Sequence, residues 1–320
     1  MKLLLRAPLD AVQPSRGAWD ALLHAGPLLD PLLRACLAGA LLALLAFAAL
    51  ALYAVLSPPR RVRERTWLVG GGLLLPALAL AAFVAYAAVL DQRSGGATPS
   101  GGDALRIEVE GRQWWWEVRY RSDQGRPVPV ANEIRVPVGR PVVLALSAGD
   151  VMHRFWLPAV GSKADMIPGR VNELRLTVNE PGVLRGQCAQ YCGTQHALMA
   201  FQVVAEEEAA FAAWLQRQAA PAMPPADPTL RRGRDVFLRA GCGGCHTVRG
   251  TEATGQVGPD LTHVGSRHTL AAGTLHNHTG ALATWIGHSQ RIKPGNLMPS
   301  QTQLADAELE VLSAYLESLQ

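Results

Sequence analysis

The hydrophobic rhythm of the chain changes twice. From Leu32 to Leu56 the residues are almost all Leu and Ala, with Arg34 near the start, and a second apolar run extends from Trp67 to Leu90. Each matches the roughly 20 residues that cross a bilayer as a helix, and neither has the polar face of a half-buried helix. After residue 104 the period becomes two. Leu105, Ile107 and Val109 alternate with charged residues, as do Ile134, Val136 and Val138 and then Leu174, Leu176 and Val178. Short alternating strands separated by Gly and Pro turns predict an antiparallel β sandwich or barrel. Ala205 to Gln218 reads as a closing helix, with Glu206, Glu207 and Glu208 at the end where acids suit the helix dipole. In the last segment the rhythm is helical: Leu309, Leu312, Leu316 and Leu319 lie among acids and predict an amphipathic helix over 304–319.

These patterns divide the 320 residues into a leader or irregular segment (1–30, with Pro8, Pro14 and Pro27), a two-helix transmembrane hairpin (31–93, helices about 32–56 and 67–90), an all-β domain (104–218), a Pro-rich linker (219–228) and an all-α domain (229–320). A Gly/Ser tether, Ser94–Asp103, joins hairpin to sandwich. Between the apolar runs stand Ser57-Pro58-Pro59 and Arg60, Arg61, Arg63 and Arg65. Short arginine-rich loops stay cytoplasmic, so both chain ends and both folded domains are expected on the outer, periplasmic side. Tyr53 and Trp67 suit the membrane interface, and Pro76 predicts a kink in the second helix. The net charge of +4 is too small to point to nucleic acid, and no basic stripe is interleaved with aromatics.

The candidate chemistry is sulfur-rich. Cys188, Cys192, His196 and Met199 fall in one short loop, with His153 upstream on another. Thiolate, imidazole and thioether are the ligands of copper electron-transfer sites, and a mononuclear blue site needs one thiolate. The additional thiolate makes a sulfur-bridged pair of coppers the natural extension. A zinc centre would have no use for Met199, and a disulfide would leave the flanking His and Met residues without a purpose. Met152, beside His153, reads as core packing, and Cys36 as a small apolar residue of the first helix. Further on, Cys242-Gly-Gly-Cys245-His246 is a covalent heme c attachment sequence, with His246 as proximal ligand. His263, His268, His276, His278 and His288 read as surface or hydrogen-bonding residues, with bis-His ligation as the rival arrangement, and Met223 is a competing thioether in the linker.

The segments Asp150–Pro158, Lys163–Arg170 and Gly186–Met199 resemble cytochrome c oxidase subunit II, over the hairpin and the whole β domain. The resemblance implies a cupredoxin fold with a dinuclear copper A centre. Cys188 and Cys192 would bridge the coppers, His153 and Met199 would complete one, and His196 with the main-chain carbonyl of Gln190 the other. The family carries Glu at that last position, whose carboxylate helps hold magnesium against subunit I. Gln190 keeps the carbonyl and loses the charge, so magnesium is not assigned here. Within Gln113-Trp114-Trp115-Trp116, Trp114 matches the position through which an electron reaches the copper centre, while core and interface packing is the plainer reading of the three rings. Gly258–Leu261 and Lys293–Pro299 resemble class I cytochrome c, which implies that Met298 is the distal heme ligand, and His/Met ligation gives a high potential.

The fused arrangement is similar to subunit II of heme-copper oxidases that carry their own cytochrome c. It implies a multi-pass protein of the bacterial inner membrane. Electrons would come from an external donor, a soluble cytochrome or a quinol-oxidising complex, and pass by heme c and copper A to subunit I, among other oxidase subunits. There oxygen would be reduced to water with proton translocation. This chain supplies no catalytic residue of its own, and no hydrolytic triad or carboxylate pair competes for a role. A copper A subunit of a nitric oxide reductase and a membrane-tethered electron carrier are the alternatives.

Overall fold

The computed structural model describes residues 29–58, 63–95, 104–122, 125–225 and 227–320. The predicted leader up to residue 28, Arg60 and Arg61 of the basic loop, and the tether residues 96–103 lie outside the described residues. The described residues from 104 onward belong to one compact unit and the helical pair to another.

In the helical unit, α1 spans Leu29–Leu56. The second span opens with the short turn Glu64–Thr66, runs through a π-helical stretch, Trp67–Leu74, and continues as α2, Leu75–Gly95. The wide turns end just before Pro76, where the Leu75 N–H reaches back five residues to the Gly70 carbonyl. A proline ring clashes with the carbonyl four residues behind it, so widening the preceding turn relieves the clash without breaking the helix. Both spans are long and apolar enough to cross a membrane, and none of their apolar surface is buried within the chain. Such a surface calls for lipid or partner helices as its covering.

Among the described residues, ten strands make a sandwich of two five-stranded sheets, ordered β3-β2-β1-β5-β8 and β4-β10-β9-β6-β7. The strands are β1 (Leu105–Arg112), β2 (Trp115–Arg121), β3 (Pro127–Ala131), β4 (Glu133–Pro137), β5 (Val142–Ala148), β6 (His153–Leu157), β7 (Ser162–Met166), β8 (Asn172–Leu176), β9 (Gly182–Cys188) and β10 (Ala200–Glu206). The expected alternation holds where it decides the core: Ile107, Val109, Ile134 and Val136 are buried. The sheets are not purely antiparallel as the pattern suggested, because β1 pairs parallel with β5 and β4 with β10. Connections that cross from one sheet to the other return the chain in its original direction, and period-two alternation is blind to this.

The closing helix, α3, spans Glu208–Ala219 and starts later than its acidic run suggested. Ala205 is instead paired on both sides, with Gly182 of β9 and Val136 of β4, and the two ladders outweigh local helix preference. Stacked Phe155 and Phe201, with ring centroids 4.4 Å apart, fill the centre of the sandwich, and Trp116 meets Phe201 edge-on at 5.0 Å. Gly186 lies opposite Phe201 in the ladder, and a Cβ there would sit 2.0 Å from the ring. The strand that leads into the sulfur loop therefore needs bare backbone at this point.

The C-terminal domain packs α4 (Pro228–Arg239), α5 (Thr279–Ile292) and α6 (Asp306–Glu317) around a second core containing Phe237, Leu282, Ile286, Leu312 and Leu316. Asp227 caps α4 by accepting from the Thr229 and Leu230 N–H groups. Helices α4 and α6 cross at Gly233, where a Cβ would meet the Val311 carbonyl oxygen at 2.1 Å. The linker before α4 is pinned to this domain: the Ala222 N–H donates to Arg249 O at 2.8 Å, and His263 Nε2 donates to Ala220 O at 3.0 Å.

Candidate metal centre and heme pocket

The sulfur loop runs from the end of β9 to the start of β10. Its base is closed by the Cys188 N–H donating to Met199 O at 3.0 Å. Cys188 is the last residue of β9 and pairs with Phe155 in β6, whose first residue is His153. His153 thus reaches the loop from a strand and not, as expected, from a loop. The alternation that turns it inward turns Met152 outward, so Met152 is 41% exposed and is no part of the core. A 3₁₀ turn, His196–Leu198, then brings His196 and Met199 back toward the cysteines.

The side chains converge. Cys188 Sγ lies 3.8 Å from Cys192 Sγ and 3.9 Å from His153 Nδ1. Cys192 Sγ lies 3.6 Å from His196 Nδ1 and 3.7 Å from Met199 Sδ. The Cys188 thiol also donates to the Gln190 carbonyl at 3.2 Å. Two donors each about 2.0–2.3 Å from a shared metal stand roughly 3.5 Å apart at tetrahedral angles, so these spacings suit common coordination. His153, Cys188, Cys192 and Met199 are buried, and the sulfur–sulfur distance is far beyond the ~2.05 Å of a disulfide. Two thiolates, two imidazoles, a thioether and a carbonyl exceed the four ligands of a structural zinc site, and the softness of the set suits copper.

Neighbouring groups orient these donors. His153 Nε2–H donates to Asp150 Oδ1 at 2.8 Å, which leaves Nδ1 to face the sulfur. Burial pulls the His153 imidazolium down, and contacts with Cys188 and Asp150 outweigh that pull and raise its pKa. Gly111 in β1 leaves room for the ring, since a Cβ there would lie 2.8 Å from His153 Cδ2. Trp114, just ahead of β2, donates its indole N–H to Cys192 O at 3.0 Å. Gly193 makes that approach possible, with φ of +116° and only 2.9 Å between a hypothetical Cβ and the indole ring. Of the three consecutive tryptophans, only Trp116 is fully buried in the sandwich.

The C-terminal domain contains a cavity of 350 Å³ lined by Cys242, Cys245, His246, Met298 and Trp285. Trp114 lines the same cavity from the β domain. His246 Nδ1–H donates to Pro259 O at 2.8 Å, so Nε2 keeps its lone pair for a metal. Burial lowers the His246 pKa, which favours the neutral, ligating imidazole. Gly258 is pressed against the same ring, 2.5 Å from a hypothetical Cβ to Cε1. Elsewhere in the lining, the Met298 carbonyl accepts from Ser289 Oγ at 2.7 Å and from Gln290 Nε2 at 2.8 Å, which fixes the loop that carries the thioether. The paired cysteines, the oriented imidazole and the thioether in one largely apolar cavity fit a covalently held, six-coordinate heme.

Two family models match the chain: the periplasmic domain of cytochrome c oxidase subunit II over residues 121–206, and cytochrome c over residues 230–320. The chain is 37% identical over 257 residues to cytochrome c oxidase subunit 2 of Alkalihalophilus pseudofirmus, covering 80% of this chain and 72% of that protein. The chain belongs to the cytochrome c oxidase subunit II family. The same-named protein of Bacillus sp. strain PS3 is 33% identical over 224 residues, and the chain covers 62% of its length. The solved periplasmic domain of subunit II of cytochrome oxidase of Bradyrhizobium japonicum is 32% identical over 37% of this chain and 96% of its own, with a TM-score of 0.35. Members of this family are subunits of an oxidoreductase complex, and the two matched models imply copper A and heme for subunit II chains of this fused kind.

In this subunit II chain the two domains also share polar contacts that the sequence did not announce. His268 donates its backbone N–H to Glu133 Oε2 at 3.0 Å, and its ring Nδ1 lies 3.2 Å from the same oxygen. Burial pushes the Glu133 carboxyl up, but His268 and Arg135 outweigh it and hold it below the ordinary carboxylate range. Asp150 beside the loop bonds His153, and Gln195 within the loop bonds Pro294 O, neither as a ligand. Asp150 and Gln195 were visible only as members of the Asp150–Pro158 and Gly186–Met199 segments, with no individual signal of their own.

Proposed function

We propose that this chain delivers electrons to oxygen within a respiratory oxidase, through heme c in its C-terminal domain and a dinuclear copper A centre in the β9–β10 loop. The observation that carries this reading is the convergence of His153 from β6 on the five donors of the β9–β10 loop, with Trp114 bonded to that loop and lining the heme cavity. When bound, the two groups exchange single electrons, and the reduction of oxygen coupled to proton translocation belongs to subunit I.

The residues hold and orient these groups. Cys188 and Cys192 would be the thiolates shared by the copper pair, with His153 and Met199 serving one ion and His196 with the Gln190 carbonyl the other. Asp150 fixes the His153 tautomer, and the surrounding sandwich keeps water from the sulfur atoms. Cys242 and Cys245 would tether the heme, and His246 and Met298 would ligate its iron. Trp114 bridges the two sites with a single side chain and one hydrogen bond. Gln190 offers no carboxylate, so an interface magnesium ion finds no charged partner at this position.

The apolar helices anchor the chain in the bacterial cell membrane, with both termini and the redox unit on the outer face. The partners are subunit I and other oxidase subunits, and an external donor supplies electrons to heme c. A nitric oxide reductase would share the copper loop and differ in the partner, and a free carrier would lack one. The names of the curated relatives support the oxidase reading.

Metal analysis of the purified complex is expected to give two coppers per covalent heme, with near-infrared absorption and a mixed-valence paramagnetic resonance spectrum. Zinc, a single copper or a cystine in the loop overturns the assignment. A second expectation concerns Gly111→Ala. The new methyl group displaces His153, so the near-infrared band shifts or weakens while the heme spectrum stays as it was. An unaltered copper spectrum would remove His153 from the ligand set.

A further inference from the structure

Lys293 is a lysine almost completely shut away from water, at 3% exposure. Its Nζ donates to three main-chain carbonyls: Leu198 O at 3.0 Å, Trp114 O at 3.2 Å and Ala271 O at 3.2 Å. The first belongs to the turn between His196 and Met199, the second to the tryptophan over the copper loop, and the third to the heme domain. An ammonium has three N–H donors and no acceptor, so this site uses its capacity in full.

Two further features meet at the same place. Ala271 and Ala272 adopt φ of +52° and +57°, a left-handed conformation that alanine avoids unless its surroundings impose it. The turn presents its first carbonyl to Lys293 of its own domain and the next two to the β domain. Ala271 O accepts from Lys293, Ala272 O accepts from the Ala200 N–H at 3.0 Å, and Gly273 O accepts from Arg185 Nη1 at 3.2 Å. On the other side, Gln195 of the sulfur loop donates its side-chain N–H to Pro294 O, the residue after Lys293. The segment 293–298 therefore carries Met298 at one end and is bonded to the sulfur loop at the other.

We infer that Lys293 is a positioning residue: its buried ammonium locks the heme domain against the copper loop and fixes the separation between the two redox sites. The inference rests on the two-centre reading above and adds a residue to which that reading gives no role. Charge is required because no neutral side chain offers three N–H donors to three converging carbonyls. Geometry is the purpose because each of the three carbonyls lies in a segment that carries, or directly abuts, one of the two sites. Small displacements of redox or reacting partners have large kinetic cost.

The test uses the whole oxidase complex, with Lys293→Met and Lys293→Arg. Heme c is photoreduced by an external ruthenium complex and its reoxidation by copper is followed optically. In the same samples, hydrogen exchange of the Ala200 amide reports the domain contact. In Lys293→Met, both cofactors are expected to load with ordinary spectra, heme-to-copper transfer to fall at least about tenfold, and Ala200 exchange to quicken at least about tenfold. Lys293→Arg, with its charge and several N–H donors, recovers much of both. If the methionine variant fails to assemble, Lys293→Gln, which keeps two donors, is expected to fall between wild type and the tenfold loss. Unchanged transfer and unchanged Ala200 exchange in a loaded Met or Gln variant overturn the inference. The parent reading fails differently: wild-type complex would then lack the copper absorption or the covalent heme, while the Ala200 comparison remains readable.

Discussion

Cys188→Ser is expected to abolish the near-infrared absorption of the copper pair and to lower oxygen uptake by more than about 100-fold, with the heme c spectrum retained. The magnitude follows from rank: losing an outer partner of a metal ligand costs about 10–100-fold in affinity or activity, and a bridging thiolate serves both ions directly. Serine is nearly isosteric, and the main-chain bond from Cys188 N–H to Met199 O survives the exchange, so the loop keeps its shape. The chemistry does not survive. A hydroxyl stays protonated where a thiol ionises and is too hard a donor for copper. Copper content per heme and steady-state oxygen consumption check the expectation together. A variant with full copper and full turnover would show that Cys188 is not a bridge.

How far the chain could be read depends on where its signals reside. The two apolar runs are local statements about helix length and polarity, the alternation at Ile107, Val109, Ile134 and Val136 is one about burial, and the structure has both the long apolar helices and the buried positions. The cysteines, His196 and Met199 were legible because one loop gathers them within a dozen residues. Their partner His153 was legible, but its placement was not, since a strand start and a loop end look alike in sequence. The helix expected from Ala205 begins only at Glu208, because pairing with Val136 and Gly182 is decided by strands far away in the chain. Lys293 lies deeper still out of reach. It stands beside a Pro-Gly turn and looks like an ordinary surface lysine until the fold brings Trp114 and Leu198 within hydrogen-bond distance. Contacts between domains have no period and leave no local trace.

Removal of the heme tether is expected to have the second large effect, and to fall on one domain. In the double variant Cys242→Ala, Cys245→Ala, heme staining of the denatured chain disappears, since no thioether remains to carry the porphyrin. The 350 Å³ cavity then loses the group around which α4, α5 and α6 are arranged, and apolar Leu270, Leu282 and Ile286 lie at its wall. Cavities of this kind destabilise in proportion to their volume, at about 24 cal/mol per Å³ where the walls cannot collapse. The C-terminal domain should therefore become loose and protease-sensitive. The sandwich has a core of its own around Trp116, Phe155 and Phe201, with no residue shared between the two clusters. Copper is accordingly expected to load in the double variant, with its near-infrared band perturbed through the lost contacts of Ala272 and Lys293 with the loop. Heme staining on a denaturing gel, limited proteolysis and the near-infrared spectrum separate the outcomes. Loss of copper together with heme would mean that the sulfur loop takes its shape from the neighbouring domain, and that the two cores fold as one.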